Sequence, residues 1–110
     1  MEKINFDEFK KVEIAVGRIL SAEKVPETDK LLKLSVDFAE ENPRQIISGI
    51  SMYFPECEVL VGRKCMFVVN LEPRNIKGLE SQGMILAVSG ENFFSLLSTN
   101  NEVPPGATVK

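Results

Sequence analysis

The sequence predicts an all-β fold, a small five-stranded barrel with short helices and a C-terminal strand extension. Two observations carry this. Leu32, Leu34, Val36 and Phe38 alternate with Lys33, Ser35 and Asp37, the period-2 pattern of a strand buried on one face. The apolar runs are separated by clusters of Gly, Pro, Asn, Asp and Glu, and only one helical segment is expected between strands.

Taken in order, Asn5 is placed as an N-cap, with Glu8 three residues on completing a capping box. Ile4 and Phe9 stand at hydrophobic-staple positions, so a short helix is expected over Phe6–Lys10. Val12–Ala22 reads as the first strand, with Ile14 and Val16 on one face and Gly17 as a candidate bulge. Pro26–Asp29 is a turn. Leu32–Phe38 is the second strand, and Glu40–Pro43 turns the chain into a third, Arg44–Ile50. Pro55 and Glu56 near its start and Gly62 after its end punctuate Tyr53–Val61 as a short helix. Arg63–Leu71 and Met84–Ser89 are strands four and five. Three strands, a helix and two strands give the connectivity of an OB-fold, a Greek-key barrel that binds oligonucleotides on one face.

A chain of 110 residues suits one domain, 1–110, and buries enough surface for a single core. The barrel is expected at about 12–89 and the extension, with Phe93, Phe94, Leu96 and Leu97, at about 90–110. The hydrophobic fraction of 44% and the charged fraction of 26% are those of an ordinary globular domain. No apolar run is long enough to span a membrane, and Met1–Lys11 lacks the apolar core of a secretory signal. A cytoplasmic protein with reduced Cys57 and Cys65 is therefore expected. The cysteines fit no zinc spacing, so no metal and no cofactor is expected. Histidine is absent, which removes the commonest general base. The carboxylates are scattered and no nucleophile has an evident base, which weighs against an enzyme. Net charge is −3, which argues against an indiscriminate nucleic-acid binder. Yet acids exceed bases by three over Met1–Glu41, and bases exceed acids by two over Arg44–Lys77. A local basic patch on an acidic body is compatible with salt-sensitive RNA binding.

The most informative segment is Asn70–Met84. Pro73, Gly78 and Gly83 break regular structure between two apolar strand runs. Arg74, Lys77, Asn70, Asn75, Ser81 and Gln82 supply the cations and polar groups that phosphates and base edges require. The pattern Asn-Leu-x-Pro-x-x-Ile-Lys-Gly-x-x-Ser-x-Gly-Met resembles the signature of the tRNA-binding-domain family. Asp29–Leu32, Arg44–Gly49 and Leu60–Gly62 also look like family blocks, in the same order and spacing. The family includes free-standing tRNA-binding proteins, methionyl-tRNA synthetase C-terminal domains and beta subunits, and a related export chaperone. The chain departs from the pattern at Ala15, Val25 and Asn75. An arginine is common at the first, a histidine in the His-Pro pair at the second, and a lysine at the third.

The resemblance implies a non-catalytic module that recognises folded tRNA, with aminoacyl-tRNA synthetase as a possible partner and a homodimer formed through the extension. Its tail, Val103–Lys110, is similar to synthetase C-termini, so a free-standing protein, a synthetase subunit and an excised domain all stay open. The RNA-binding candidates are Lys33, Arg44, Asn70, Arg74, Asn75, Lys77, Ser81 and Gln82. Each has a plainer reading. The cations are also ordinary surface charges, Ser81 also suits a turn, and Asn70 also suits the capping of a strand end. Tyr53, Phe54 and Met84 read as core in preference to base-stacking platforms. The alternative function is a peptide-binding export chaperone of the same fold. The intact Ser81-Gln-Gly-Met84 favours tRNA, because the chaperones usually lack the Gly-Met ending.

Overall fold

The computed structural model describes residues 1–110. One short helix, α1 (Phe6–Phe9), precedes the strands. Its N-terminus is the expected capping box. Asn5 Oδ1 accepts from the Glu8 amide at 2.8 Å, and Glu8 Oε1 accepts from the Asn5 amide at 3.4 Å. The staple residues Ile4 and Phe9 are both exposed.

The barrel strands are β1 (Ile14–Lys24), β2 (Leu32–Asp37), β3 (Arg44–Ser48) and β4 (Lys64–Val68). Within the signature segment, where Pro73, Gly78 and Gly83 predict no regular structure, lies a small hairpin, β5 (Arg74–Ile76) and β6 (Leu79–Ser81). Then come β7 (Met84–Ile85), β8 (Ala87–Gly90) and β9 (Phe93–Leu96). One antiparallel sheet runs β3-β2-β1-β4-β7, and β3 closes toward β6 and β7. This is the five-stranded OB-type barrel that the element order predicts.

Three expectations are corrected. The helix at Tyr53–Val61 is instead two 3₁₀ turns, Ser51–Tyr53 and Cys57–Leu60. Pro55 forces Phe54 out of the helical region, to φ −136° and ψ 74°. The fifth strand is divided at Leu86, where the chain leaves β4 and starts the β8–β9 hairpin. The bulge lies between Ile19 and Ser21, not at Gly17. A Cβ on Gly17 would stand 2.5 Å from Val36 Cγ1 and 2.6 Å from a Phe38 ring carbon. The glycine there serves close packing.

The barrel interior is filled by alternate side chains. Ile19, Leu32, Leu34, Val36, Ile46, Leu60, Cys65 and Phe67 are fully buried. Burial of each large aliphatic or aromatic side chain contributes roughly 1.5–3 kcal/mol relative to exposure. The rings of Phe38 and Phe67 meet edge to face at 5.2 Å. Both cysteines are free and buried, and the thiol of Cys65 is pushed up in pKa by desolvation, against a smaller lowering by Arg63.

The C-terminal residues are woven into this barrel. Leu96 joins the core. The Met66 amide donates to the Leu97 carbonyl at 2.9 Å, and the Thr99 amide to the Lys64 carbonyl at 3.0 Å. The tail therefore takes over the edge of β4 where β7 ends. Farther on, the Gly106 amide donates to the Val16 carbonyl at 2.7 Å, and the Val16 amide to the Ala107 carbonyl at 2.8 Å. Gly106 has φ +87°, and a Cβ there would lie 2.6 Å from the Phe38 carbonyl oxygen. Only glycine lets the tail approach so closely. Gly106→Ala should therefore destabilise the fold by more than about 1 kcal/mol, seen as a lower midpoint in urea denaturation. A midpoint equal to the parent's would mean that the tail is not docked there.

Candidate nucleic-acid interface

The signature segment begins by anchoring itself. Asn70 Oδ1 accepts from the Glu13 amide at 2.9 Å, and Asn70 Nδ2 donates to the Lys11 carbonyl at 2.6 Å. The end of β4 is thus tied to the approach to β1. Asn70 makes the backbone contacts that its plainer reading anticipated.

The hairpin follows. Ile76 and Leu79 pair across a two-residue turn, Lys77-Gly78, with φ +54° and +85°. Positive φ at both positions is the type I′ geometry that matches strand twist. Asn75 Oδ1 accepts from the Gly78 amide at 2.9 Å. Where family members often carry a cation, this chain has a side chain that fastens the turn. Lys77 stands at the tip and Arg74 at the base, both exposed and outside any ion pair.

Behind the hairpin, side chains close the barrel. Every second residue of β3 turns its peptide groups away from β2, so Gln45 and Ile47 need partners on the open side. Ser81 Oγ accepts from the Ile47 amide at 2.9 Å and donates to the Gly83 carbonyl at 3.0 Å. Gln82 Oε1 accepts from the Gln45 amide at 2.8 Å, and the Gln82 amide donates to the Gln45 carbonyl at 2.8 Å. Gln45 Nε2 donates to the Glu80 carbonyl at 2.9 Å. Ser81 is 4% exposed, so its hydroxyl lies behind the surface.

Arg44 completes the closure. Its Nε and Nη2 donate to the two oxygens of Glu40, each at 2.8 Å. Its Nη1 donates to the carbonyls of Val69 at 2.6 Å and Gln82 at 3.2 Å. The guanidinium also sits 5.4 Å from the Phe38 ring centroid. Hydrogen bonding to Arg44 holds the Glu40 carboxyl below the usual carboxylate range, against the opposing effect of desolvation. The same bond raises the pKa of Arg44.

Lys33 faces outward from β2 and pairs with Glu23 at 3.1 Å. It sits beside a polar groove of about 400 Å³ that Ser21, Ser35, Gln45 and Gln82 also line. The structure thus gathers Arg44, Ser81 and Gln82 into the seam, Arg74, Asn75 and Lys77 into the hairpin, and Lys33 onto the neighbouring face. Asn70 is set apart, at the foot of β1.

Two participants were missed in the sequence. Gln45 stitches β3 to the hairpin, and Glu40 holds Arg44. Their only signals were a polar residue within an apolar strand and opposite charges flanking a turn. Two aromatic or apolar assignments also change. Tyr53 is 45% exposed and stacks on Phe94 at 4.0 Å, and Met84 is 46% exposed. Neither belongs to the core. Phe54 does pack against it.

Comparison with known proteins agrees with this architecture. Residues 14–108 match the family model described as "Putative tRNA binding domain". Methionine–tRNA ligase of Lactococcus lactis is 40% identical over 110 residues, covering 99% of this chain and 17% of the ligase. The chain thus spans about one-sixth of the length of such relatives. The crystal structure of a MetRS-related protein from Pyrococcus horikoshii superposes with a TM-score of 0.92 at 43% identity, covering 100% of both chains. The chaperone CsaA of Bacillus anthracis superposes at 0.86 with 27% identity, covering 99% of this chain and 100% of that one.

Ser81→Ala should lower stability by about 1–3 kcal/mol, because it orphans the buried Ile47 amide. Chemical denaturation measures this. The Arg44–Glu40 pair gives a pH signature. The folded pKa of Glu40 is depressed, so its contribution is present above the unfolded carboxylate value and is lost as pH falls through the lowered folded value. The melting temperature of Glu40→Gln should therefore fall less steeply on acidification than that of the parent. Parallel acid profiles would show that the pair contributes nothing.

Proposed function

Because the chain belongs to the tRNA-binding-domain family, we propose that it is a non-catalytic module that recognises folded tRNA. We assign the phosphate contacts to the Arg74–Ser81 hairpin. The observation that carries this is the pair of exposed cations, Arg74 and Lys77, held on a stiff hairpin whose base is hydrogen-bonded into the barrel. Lys77 occupies a left-handed conformation that glycine or asparagine adopts at lower cost. A lysine kept there serves its charge better than it serves the turn.

The roles of the eight candidate residues divide. Arg74 and Lys77 meet phosphates. Lys33 lies beside the polar groove, where ribose hydroxyls or unpaired bases would rest. Asn75, Ser81, Gln82 and Arg44 hold the hairpin and its base in place, Asn70 ties the end of β4 to the approach to β1, and the exposed sides of Asn70 and Asn75 complete the contact surface. Such a module suits a methionyl-tRNA synthetase, as an appended domain or a separate subunit, since it would add RNA affinity without adding chemistry. The setting is the cytoplasm, where tRNA is charged.

We further propose that the module works as a homodimer. The β8–β9 hairpin leaves Val88 and Phe93 exposed at 54% and 60%, and clustered exposed apolar groups mark interfaces. Light scattering should then report twice the chain mass, and a monomer at micromolar concentration would remove the dimer.

The test of the main reading is Arg74→Ala with Lys77→Ala. Neither side chain holds the fold, so the melting temperature should stay within about 4 °C of the parent's, as surface substitutions usually shift stability by under about 0.5 kcal/mol each. Affinity for total tRNA should fall, and the salt dependence should flatten by about 0.7–0.9 for each lost phosphate contact. Unchanged binding and slope would exclude the hairpin as the RNA site. A peptide-binding chaperone, as the likeness to CsaA allows, would then be the better reading.

A further inference from the structure

The outer face carries a second pair of cations on the central strands β1 and β4, apart from the hairpin strands. Arg18 on β1 stands directly opposite Lys64 on β4 and opposite Asp37 on β2. Cross-strand partners project their side chains to the same side of a sheet. Arg18 is exposed and Lys64 half-buried. Neither has an ion-pair partner, because the two ion pairs of the molecule join Lys33 to Glu23 and Arg44 to Glu40. The acid facing Arg18, Asp37, makes no ion pair with it and gives one oxygen to the Ala39 amide at 2.8 Å, so two cations share one carboxylate. Lys64 Nζ donates to the Asn101 carbonyl at 2.8 Å. That bond fixes the ammonium group, and a carbonyl does not neutralise its charge. Arg18, Asp37, Lys64 and Asn101, with Gly62 and Pro105, line an open depression of about 470 Å³.

Like charges directly opposite on neighbouring strands weaken a sheet. Holding the Asn101 carbonyl needs a donor and no charge. Asp37, opposite Arg18, offsets one of the two cations, and the fold gains nothing from the second. An anion touched by both would use them, and phosphate oxygens suit a guanidinium and an ammonium set side by side. The strand register also connects this place to the hairpin. From Arg18 the polar face continues through Ser21, Ser35 and Gln45, which are opposed in turn across β1, β2 and β3. Gln45 then bonds to the residues that carry the hairpin, Glu80 and Gln82.

We propose that Arg18 and Lys64 together bind a second phosphodiester of the RNA, across the sheet from the one held at the hairpin. The proposal rests on the tRNA-binding reading above. Between the two anchors, the groove beside Gln45 and Lys33 faces the intervening nucleotides.

The test compares the parent, Arg18→Gln with Lys64→Gln, and Arg74→Ala with Lys77→Ala, each as the full chain, by filter binding of total tRNA over a range of salt. Glutamine keeps a donor for the Asn101 carbonyl and removes both charges. The Arg18/Lys64 variant should bind roughly three- to tenfold more weakly, with a slope flatter by about 0.7–0.9, the increment for one neutralised phosphate. Its melting temperature should stay close to the parent's, since the Arg18–Lys64 repulsion and the Arg18–Asp37 attraction are lost together. Arg18→Lys with Lys64→Arg, which keeps both charges, should restore most of the affinity. Parental affinity and slope in the glutamine variant, beside weakened binding in the hairpin variant, would overturn this inference and leave the hairpin site standing. Weaker binding that appears only with a lowered melting temperature would also overturn it, as it would mark a structural role. A parent that binds no tRNA would overturn both readings.

Discussion

Between β3 and the strands that follow β4, an OB-type barrel has a gap that backbone ladders alone do not fill. The peptide groups of Gln45 and Ile47 point into that gap, and a buried amide without a partner costs about 1–3 kcal/mol. In this chain the signature segment supplies most of the partners from side chains. Ser81 serves Ile47, Gln82 serves Gln45, and Gln45 returns a bond to Glu80. Arg44 then ties the β2–β3 turn, through Glu40, to the end of β4 and to Gln82. No buried side-chain nitrogen or oxygen is left without a hydrogen bond.

This seam explains why a polar segment can be both structural and a candidate binding site. Residues 80–83 are held on both sides, so the β5–β6 hairpin rising from them has a fixed base. The type I′ turn and the Asn75 bond stiffen its tip. Cations on such a support lose little conformational freedom on binding, apart from that of their own side chains. The same arrangement separates charge from scaffold. Arg44 commits its guanidinium to Glu40 and two carbonyls, whereas the Arg74 guanidinium and the Lys77 ammonium bond to nothing within the chain.

The legible and illegible parts of the sequence differ for physical reasons. The period-2 run of β2 and the capping box of α1 are local patterns, and both are present as expected. The family signature lies in a single stretch, so its location was also evident. The hairpin inside it was not, because Arg74–Ile76 and Leu79–Ser81 are too short to show alternation, and Lys-Gly is a weak type I′ signal beside Asn-Gly. The roles of Arg44 and Ser81 depend on partners 25 to 38 residues away in sequence, which no local pattern encodes. Tyr53 and Met84 were misplaced for a related reason. An apolar residue in a buried-looking segment reads as core, but the bend at Pro55 and the short β7 leave both at the surface.

The account stands most directly on the seam between β3 and β6, and amide hydrogen exchange at Ile47 tests it. If Ser81 Oγ holds that amide, its protection should match the ladder amides of β2 and β3, and Ser81→Ala should abolish it at Ile47 before the rest of the sheet is affected. Exchange at Ile47 as fast as at the Lys77 hairpin tip in the parent protein would contradict the account, because the barrel would then be open where the hairpin is said to be anchored.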